Sequence, residues 1–367
     1  MKYLIFGKIV EITIDHPADE LIKIDLEKGF SLYSKADESK KTNIKITICQ
    51  EFKKLRIISQ NPSVHQEIEN GFIAKFLKYD IAYQQIDDQL IINIKLKTTA
   101  NKLLKYLKKV NNIEYENIEG RISSVIHEMA LIPATYFFDD LTLIHSSTFT
   151  KNDSTIMVGG TGGCGKTSLC IELCMNHGFK FVNDDIAVID ATGKAWPNLA
   201  FPKIYGYNLV GNKKLSNLIF KDREMADRII WKMKYSLLGA DKVRRKISPV
   251  EAFGGYQSEP VLLTAYYLLS RVNTENISIK DIEAVKAAEI STKIIQQEYF
   301  AFNNHILWHE VNCRINNTEP ILKLSNVFDK MEKLNKKVIN KLKCKLIQIP
   351  IYIKHQKYIS EVSKLIR

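Results

Sequence analysis

No stretch of the chain stays apolar long enough to cross a bilayer. The longest such run, Val261 to Leu269, is interrupted by Thr264 and falls well short of the ~20 residues a spanning helix needs. The first ten residues set Lys2 and Lys8 among a few apolar positions, with neither a long apolar core nor a small-residue cleavage site, so no secretory leader is expected. The 6 cysteines (Cys49, Cys164, Cys170, Cys174, Cys313 and Cys344) include no C-x-x-C pair, which signals neither a disulfide framework nor a zinc site. Internal repeats, zinc fingers, helix-turn-helix signatures and basic segments interleaved with aromatics are also missing. The expectation is a cytoplasmic protein whose partners are neither membrane nor nucleic acid.

What is present points elsewhere. The net charge of +12 fits an acidic partner, but the lysines are dispersed outside Lys330 to Lys345, as on an ordinary solvated surface. A length of 367 residues with 45% apolar content favours two domains, each with its own core. From Tyr3 to about Lys97 the segments YLIFGKIVEITI, LIKIDL, NIKITI, KLRIIS, FIAKFL and LIINIKL read as short strands by alternation and β-branched content. Ala100 to Val110 switches to helical spacing with a basic face, and Asn111 to Asn117 is polar. The split is therefore a β-rich substrate or partner domain over 1–115 and a nucleotide-binding domain over 116–367.

In the second domain a helix is expected over Arg121 to Leu131, ending before Pro133 because the residue preceding proline is pushed out of helix. Leu141 to Phe149 and Ser154 to Val158 read as a hairpin about Lys151-Asn152-Asp153. Lys180 to Ile189 reads as a strand carrying Asp184-Asp185, with a turn over Asp190 to Lys194. Further strands are expected at Leu262 to Arg271 and Ile277 to Ile279, then helices over Ile282 to Glu298 and Val327 to Leu342 and a closing strand over Lys345 to Ile353. His305 and His309 have the spacing of two ligands on a helix, but Ile306-Leu307-Trp308 between them favours a buried strand and no metal.

The segment on which the rest depends is Ser154 to Cys174. Gly160, Thr161, Gly162, Gly163, Cys164, Gly165, Lys166 and Thr167 meet the G-x-x-x-x-G-K-[ST] pattern, whose glycines let backbone N–H groups converge on phosphate oxygens. Lys166 adds charge, Thr167 offers a hydroxyl to Mg²⁺, and Ser168 continues the cradle into a helix whose N-terminus favours anions. The flanking residues agree: Thr155 to Val158 form an apolar strand, and Leu169, Ile171, Leu173 and Cys174 an apolar helix face. ATP and Mg²⁺ are the expected cofactors.

Phosphoryl transfer also needs a metal-holding carboxylate and a group for the nucleophile's proton. Asp184 and Asp185 follow the apolar Phe181-Val182, where strand ends meet the ligand crevice of α/β proteins; one would serve the metal and the other the proton. His145 lies on the strand before the loop. Arg244 and Arg245 are candidates to clamp a phosphoryl group or acidic substrate, and Cys164, near a helix N-terminus, is either a thiol of lowered pKa or simply a small loop residue.

Taken in order, Leu143-Ile144-His145, Ile156-Met157-Val158-Gly159, Gly165-Lys166-Thr167 and Asp184-Asp185 resemble the HPr kinase/phosphorylase family. They also resemble its relatives among small kinases encoded with modified peptides and, more distantly, the phosphoenolpyruvate carboxykinases. The resemblance covers Leu141 to Pro202. It implies an α/β fold with a P-loop kinase core of the HPr kinase/PEP carboxykinase-like type behind an N-terminal β-rich domain, and a homo-oligomer. It implies Asp184 as general base on a serine- or threonine-type hydroxyl, His145 as its helper, and Asp185 with Thr167 as Mg²⁺ partners. The E-x-R-G segment of that family is not found, and Ser168 stands where it commonly carries glutamate; HPr and the phosphorylase reaction are not part of the expectation. The expected function is an ATP-dependent kinase acting on a hydroxyl of a peptide, protein or small molecule. The competing reading is a P-loop ATPase or nucleotide switch acting through a partner protein, against which stand the lack of an LSGGQ-type segment and Ile186 in place of a glutamate after Asp185.

Overall fold

The computed structural model describes residues 1–53, 55–61, 64–97, 121–221 and 223–367, and combines helices with more than one mixed sheet. The expected basic helix over Ala100 to Val110 and the domain boundary after it lie outside the described residues. Among the described residues, 1–97, 121–142 and 295–334 gather into one compact unit, and 143–294 with 335–367 into the other. No described helix is long and apolar enough to cross a membrane.

The first unit is built on β1 (Lys2–Ile5), β2 (Lys8–Asp15), β3 (Ile44–Cys49), β4 (Ile57–Asn61), β5 (His65–Ile68), β6 (Gly71–Lys75), β7 (Tyr79–Ile86) and β8 (Gln89–Leu96). They form one sheet in the order β1-β2-β3-β8-β7-β6-β5-β4. Period-2 patterning selects the buried face: Leu90, Ile92, Ile94 and Leu96 alternate inward along β8.

Three expectations fail in this unit, each for a physical reason. LIKIDL is not a strand but part of the helix Asp19–Phe30. Strands β2 and β3 run parallel, so the chain must cross over between them, and a crossover of that length is usually helical. Ile22, Leu26 and Phe30 point inward at i, i+4 and i+8; a six-residue window with Ile22, Ile24 and Leu26 satisfies both periods. The helix of Ile122–Ile126 does not stop before Pro133 but passes through a π turn, His127–Leu131, into Ile132–Ala134. Proline removes the donor to the carbonyl four residues back, and that carbonyl, Met129 O, accepts the Tyr83 hydroxyl instead. His305 and His309 lie on a helix, Phe300–Ile315, rather than a strand. Its apolar run is divided between faces, with Ile306 and His309 buried and Leu307 and Val311 exposed.

The second unit begins with the hairpin β9 (Leu141–Lys151) and β10 (Ser154–Gly159), turning through Asn152 at φ +53°. It continues with β11 (Lys180–Asn183), β12 (Ile186–Asp190), β13 (Lys194–Trp196), β14 (Lys203–Tyr205), β15 (Arg244–Lys246), β16 (Val261–Leu262), β17 (Ala265–Val272), β18 (Ser278–Asp281) and β19 (Lys343–Pro350). The sheet order is β16-β13-β12-β9-β10-β17-β19-β18, with β11 also on β9; β14 and β15 form a ladder of their own. Strands β10, β17 and β19 are parallel neighbours. One face packs Ile144, Met157, Val182 and Leu268 against Ala287, Ala288, Val338 and Ile339, each large side chain contributing on the order of 1.5–3 kcal/mol by burial. The helix Lys166–His177 buries Leu169, Cys170 and Leu173. A final helix, His355–Ile366, follows β19, where the sequence reading ended on a strand.

Candidate functional site

The glycine loop sits at the carboxyl end of β10, between that strand and the helix Lys166–His177. Gly160, Gly163 and Gly165 take φ of +145°, +76° and +111°, a region that side chains disfavour. Space forbids a side chain at two of them as well: a Cβ at Gly160 would meet Leu269 O at 2.7 Å, and one at Gly165 the Tyr358 ring at 2.5–2.6 Å. A Cβ at Gly163 would meet no atom within 4 Å, so the loop there is open, and Thr161, Gly162 and Gly163 are exposed. The buried Lys166 ammonium donates to the carbonyls of Gly160 and Thr161, both at 3.0 Å. Cys164 is buried with its sulfur 3.9 Å from Lys166 Nζ, which makes it a packed loop residue. Ser168 accepts from Asn208 Nδ2 at 2.7 Å.

The expected continuous strand over Lys180 to Ile189 is broken at Asp184-Asp185. Ile186 N donates to Asp184 O at 3.1 Å across Asp185, whose φ is +77°; this is a three-residue γ-turn of the rarer, strained hand. Strand β9 holds the corner in place. Ser146 N donates to Asp185 O at 3.1 Å, and Asn183 Nδ2 to Ser146 O at 2.7 Å. The two carboxylates therefore diverge, as the turn redirects the chain between them.

Each carboxylate has its own partners. Asp184 is buried and accepts from Thr167 Oγ1 at 2.9 and 3.1 Å and from Ser147 Oγ. Asp185 keeps 55% of its side-chain surface and pairs with His145 Nε2 at 3.1 Å and Lys203 Nζ at 3.6 Å. Burial raises the Asp184 carboxyl above its ordinary range, opposed by the Ser147 and Thr167 bonds, while Asp185 adds a like charge. For Asp185, although its side chain stays half exposed, desolvation by the surrounding protein also pushes upward, but the His145 bond and the Lys203 charge outweigh it and hold the group low. His145 and Ser147 are two apart on β9 and so share a face. Thr167 thus meets Asp184 rather than Asp185, and His145 meets Asp185 rather than Asp184.

The β14–β15 ladder supplies what sequence reasoning missed. It pairs Lys203 with Lys246, Ile204 with Arg245 and Tyr205 with Arg244, so Lys203, Tyr205 and Arg244 share one face and Arg245 takes the other. Arg244 donates to Tyr205 Oη at 3.2 Å. Arg245 is buried in an ion pair with Asp227, its guanidinium 5.1 Å from the Trp231 ring centre. Of the two arginines, only Arg244 shares the face of the lysine that reaches Asp185. Tyr358, from the unforeseen final helix, donates to Gly165 O at 2.9 Å. For Ser147 a sequence signal existed, its two-residue offset from His145; for Lys203 and Tyr358 there was none.

A second cluster of polar groups lies in the first unit. Glu67 of β5 meets His309 Nδ1 at 2.8 Å, Cys313 Sγ at 3.5 Å and His65 Nε2 at 3.5 Å, all buried. The ligand atoms of Glu67, His309 and Cys313 are close enough together for a metal ion. The tautomer argues for a hydrogen-bond network instead: Ile321 N donates to His309 Nε2 at 3.0 Å, so Nδ1 carries the proton and donates it to Glu67. Both ring nitrogens are thereby committed. Burial raises the Glu67 carboxyl, but the bonds from His309 and His65 bring it below its ordinary value, and burial pushes the Cys313 thiol up to about 11.

No family model matches the chain, and no curated protein matches it either.

Proposed function

We propose that this chain is an ATP-dependent, Mg²⁺-requiring kinase with a P-loop core resembling that of the HPr kinase family, transferring a phosphoryl group to a hydroxyl of a peptide, protein or small molecule. The observation that carries the reading is the convergence on the first turn of one helix of an open glycine loop, a buried lysine and a buried carboxylate bonded to the Thr167 hydroxyl.

The residues fit Mg²⁺. Asp184, Thr167 and Ser147 offer hard oxygen donors, and a carboxylate whose charge burial disfavours is one that a cation would relieve. Asp184 and Thr167 would hold the ion, which supplies positive charge against the phosphates. The loop amides and Lys166 hold the phosphates. Asp185, ionised by His145 and Lys203, accepts the proton of the attacking hydroxyl. This exchanges the roles that the resemblance gave the two aspartates, and it follows their partners. A weakly basic carboxylate suffices because a loose phosphoryl-transfer transition state asks mainly for positioning and charge compensation. Arg244 is the remaining candidate for a phosphate or substrate clamp.

The test is transfer of label from γ-labelled ATP with Mg²⁺ in extract of the source cell. A labelled species formed by the wild type and lost in Lys166→Ala is expected. Free phosphate without a labelled acceptor would move the reading to an ATPase or nucleotide switch.

A further inference from the structure

Between β14 and β15 the chain makes an excursion that includes the helix Met225–Leu238. Its inner side is fastened to the ladder. Trp231 is buried, Asp227 pairs with Arg245 of β15, and Tyr235 lies so close to Gly206 that a Cβ there would stand 2.8 Å from its ring. Its outer side is a row of apolar residues four apart, Met225, Ile229, Met233 and Leu237, with exposures of 79%, 60%, 51% and 74%. Spacing of this kind makes a seam along one face, ~18 Å long at 1.5 Å per residue. A contiguous row of this size is more than the scattered apolar exposure ordinary on a soluble surface.

Charge narrows what covers it. Arg228 and Lys232 border the row and are exposed, while the helix's one carboxylate, Asp227, is turned inward to Arg245. A second copy of the helix laid against the first would bring these cations together. The occupant that fits is an amphipathic helical segment with apolar residues at i and i+4 and acidic residues beside them. Position narrows it further: the helix is tied to the ladder whose Lys203 reaches Asp185.

We propose that the outer face of Met225–Leu238 docks an acidic, amphipathic segment of a polypeptide acceptor, and that the substrate class is therefore polypeptide rather than small molecule. The substrate part rests on the kinase reading above; the docking part is measured without nucleotide, so its failure and the failure of phosphoryl transfer are separate results.

The probe is a fluorescein-labelled synthetic 14-mer, on the order of the length of the seam, with leucines four apart flanked by glutamates, titrated into the full chain and followed by anisotropy. Saturable binding is expected, weakened at least tenfold in Met233→Glu and by replacing the peptide's glutamates with lysines. Lys232→Glu should weaken the acidic peptide and favour the lysine version. Equal binding of the two peptides, or no effect of Met233→Glu, overturns the proposal. So does cosedimentation with phosphatidylserine vesicles in place of peptide binding, or a wild-type dimer that Met233→Glu dissolves in sedimentation velocity.

Discussion

Two buried carboxylates, Asp184 and Glu67, sit among similar polar neighbours and end in opposite states. Glu67 accepts hydrogen bonds from His309, His65 and Cys313, and its pKa falls below the ordinary value despite burial. Asp184 receives only hydroxyls, stands next to a second carboxylate, and its pKa rises. The first arrangement is closed, because each ring nitrogen of His309 is committed and the network stabilises the fold. The second has neutral hydrogen-bond partners, and these together with the Lys166 charge offset burial and the neighbouring Asp185 only in part. That imbalance marks sites that act on a ligand rather than hold a fold together.

The contrast can be broken by removing one charge at a time. The largest effect expected is on transfer: Asp184→Asn and Lys166→Ala each lower labelled-phosphate transfer by about 10³-fold or more, the scale of a lost transition-state charge partner. Glu67→Gln is expected to leave transfer within about twofold but to lower stability in urea by roughly 2–3 kcal/mol, since donors arranged for a carboxylate lose a charged partner. The pH dependence has a defined sign. A lowered folded pKa means that the Glu67 contribution is full above the ordinary value of 4.5 and is lost as pH falls below it. The wild type should lose this contribution below pH 4.5 while Glu67→Gln has none to lose. The smallest effect has the opposite sign: with EDTA present at neutral pH, Asp184→Asn raises the urea midpoint, because a group whose folded pKa is raised costs stability when ionised. A loss of stability in Asp184→Asn equal to that in Glu67→Gln would erase the distinction.

Much of the second unit was legible in the sequence, because local chemistry dictates it. The turn at Asn152 and the positive-φ glycines of the loop need residues that few alternatives replace. What was illegible depended on partners remote in sequence. The helix over residues 19–30 exists because β2 and β3 are parallel, which a short alternating window cannot report. The helix through His305 and His309 hid its periodicity because apolar residues occupy both its faces. The division of partners between Asp184 and Asp185 follows from one backbone angle, φ +77° at Asp185, which turns two adjacent side chains toward different elements. Lys203 reaches that corner from a ladder with no motif of its own.

The measurement closest to the central claim is the Mg²⁺ dependence of ATP binding by calorimetry in wild type, Asp184→Asn and Asp185→Asn. With Asp184 and Thr167 holding the ion, wild type and Asp185→Asn should bind ATP at least tenfold more tightly with Mg²⁺ than with EDTA, and Asp184→Asn should lose that difference. Retention of the difference in Asp184→Asn together with its loss in Asp185→Asn would contradict the account and return the two aspartates to the roles first inferred from resemblance.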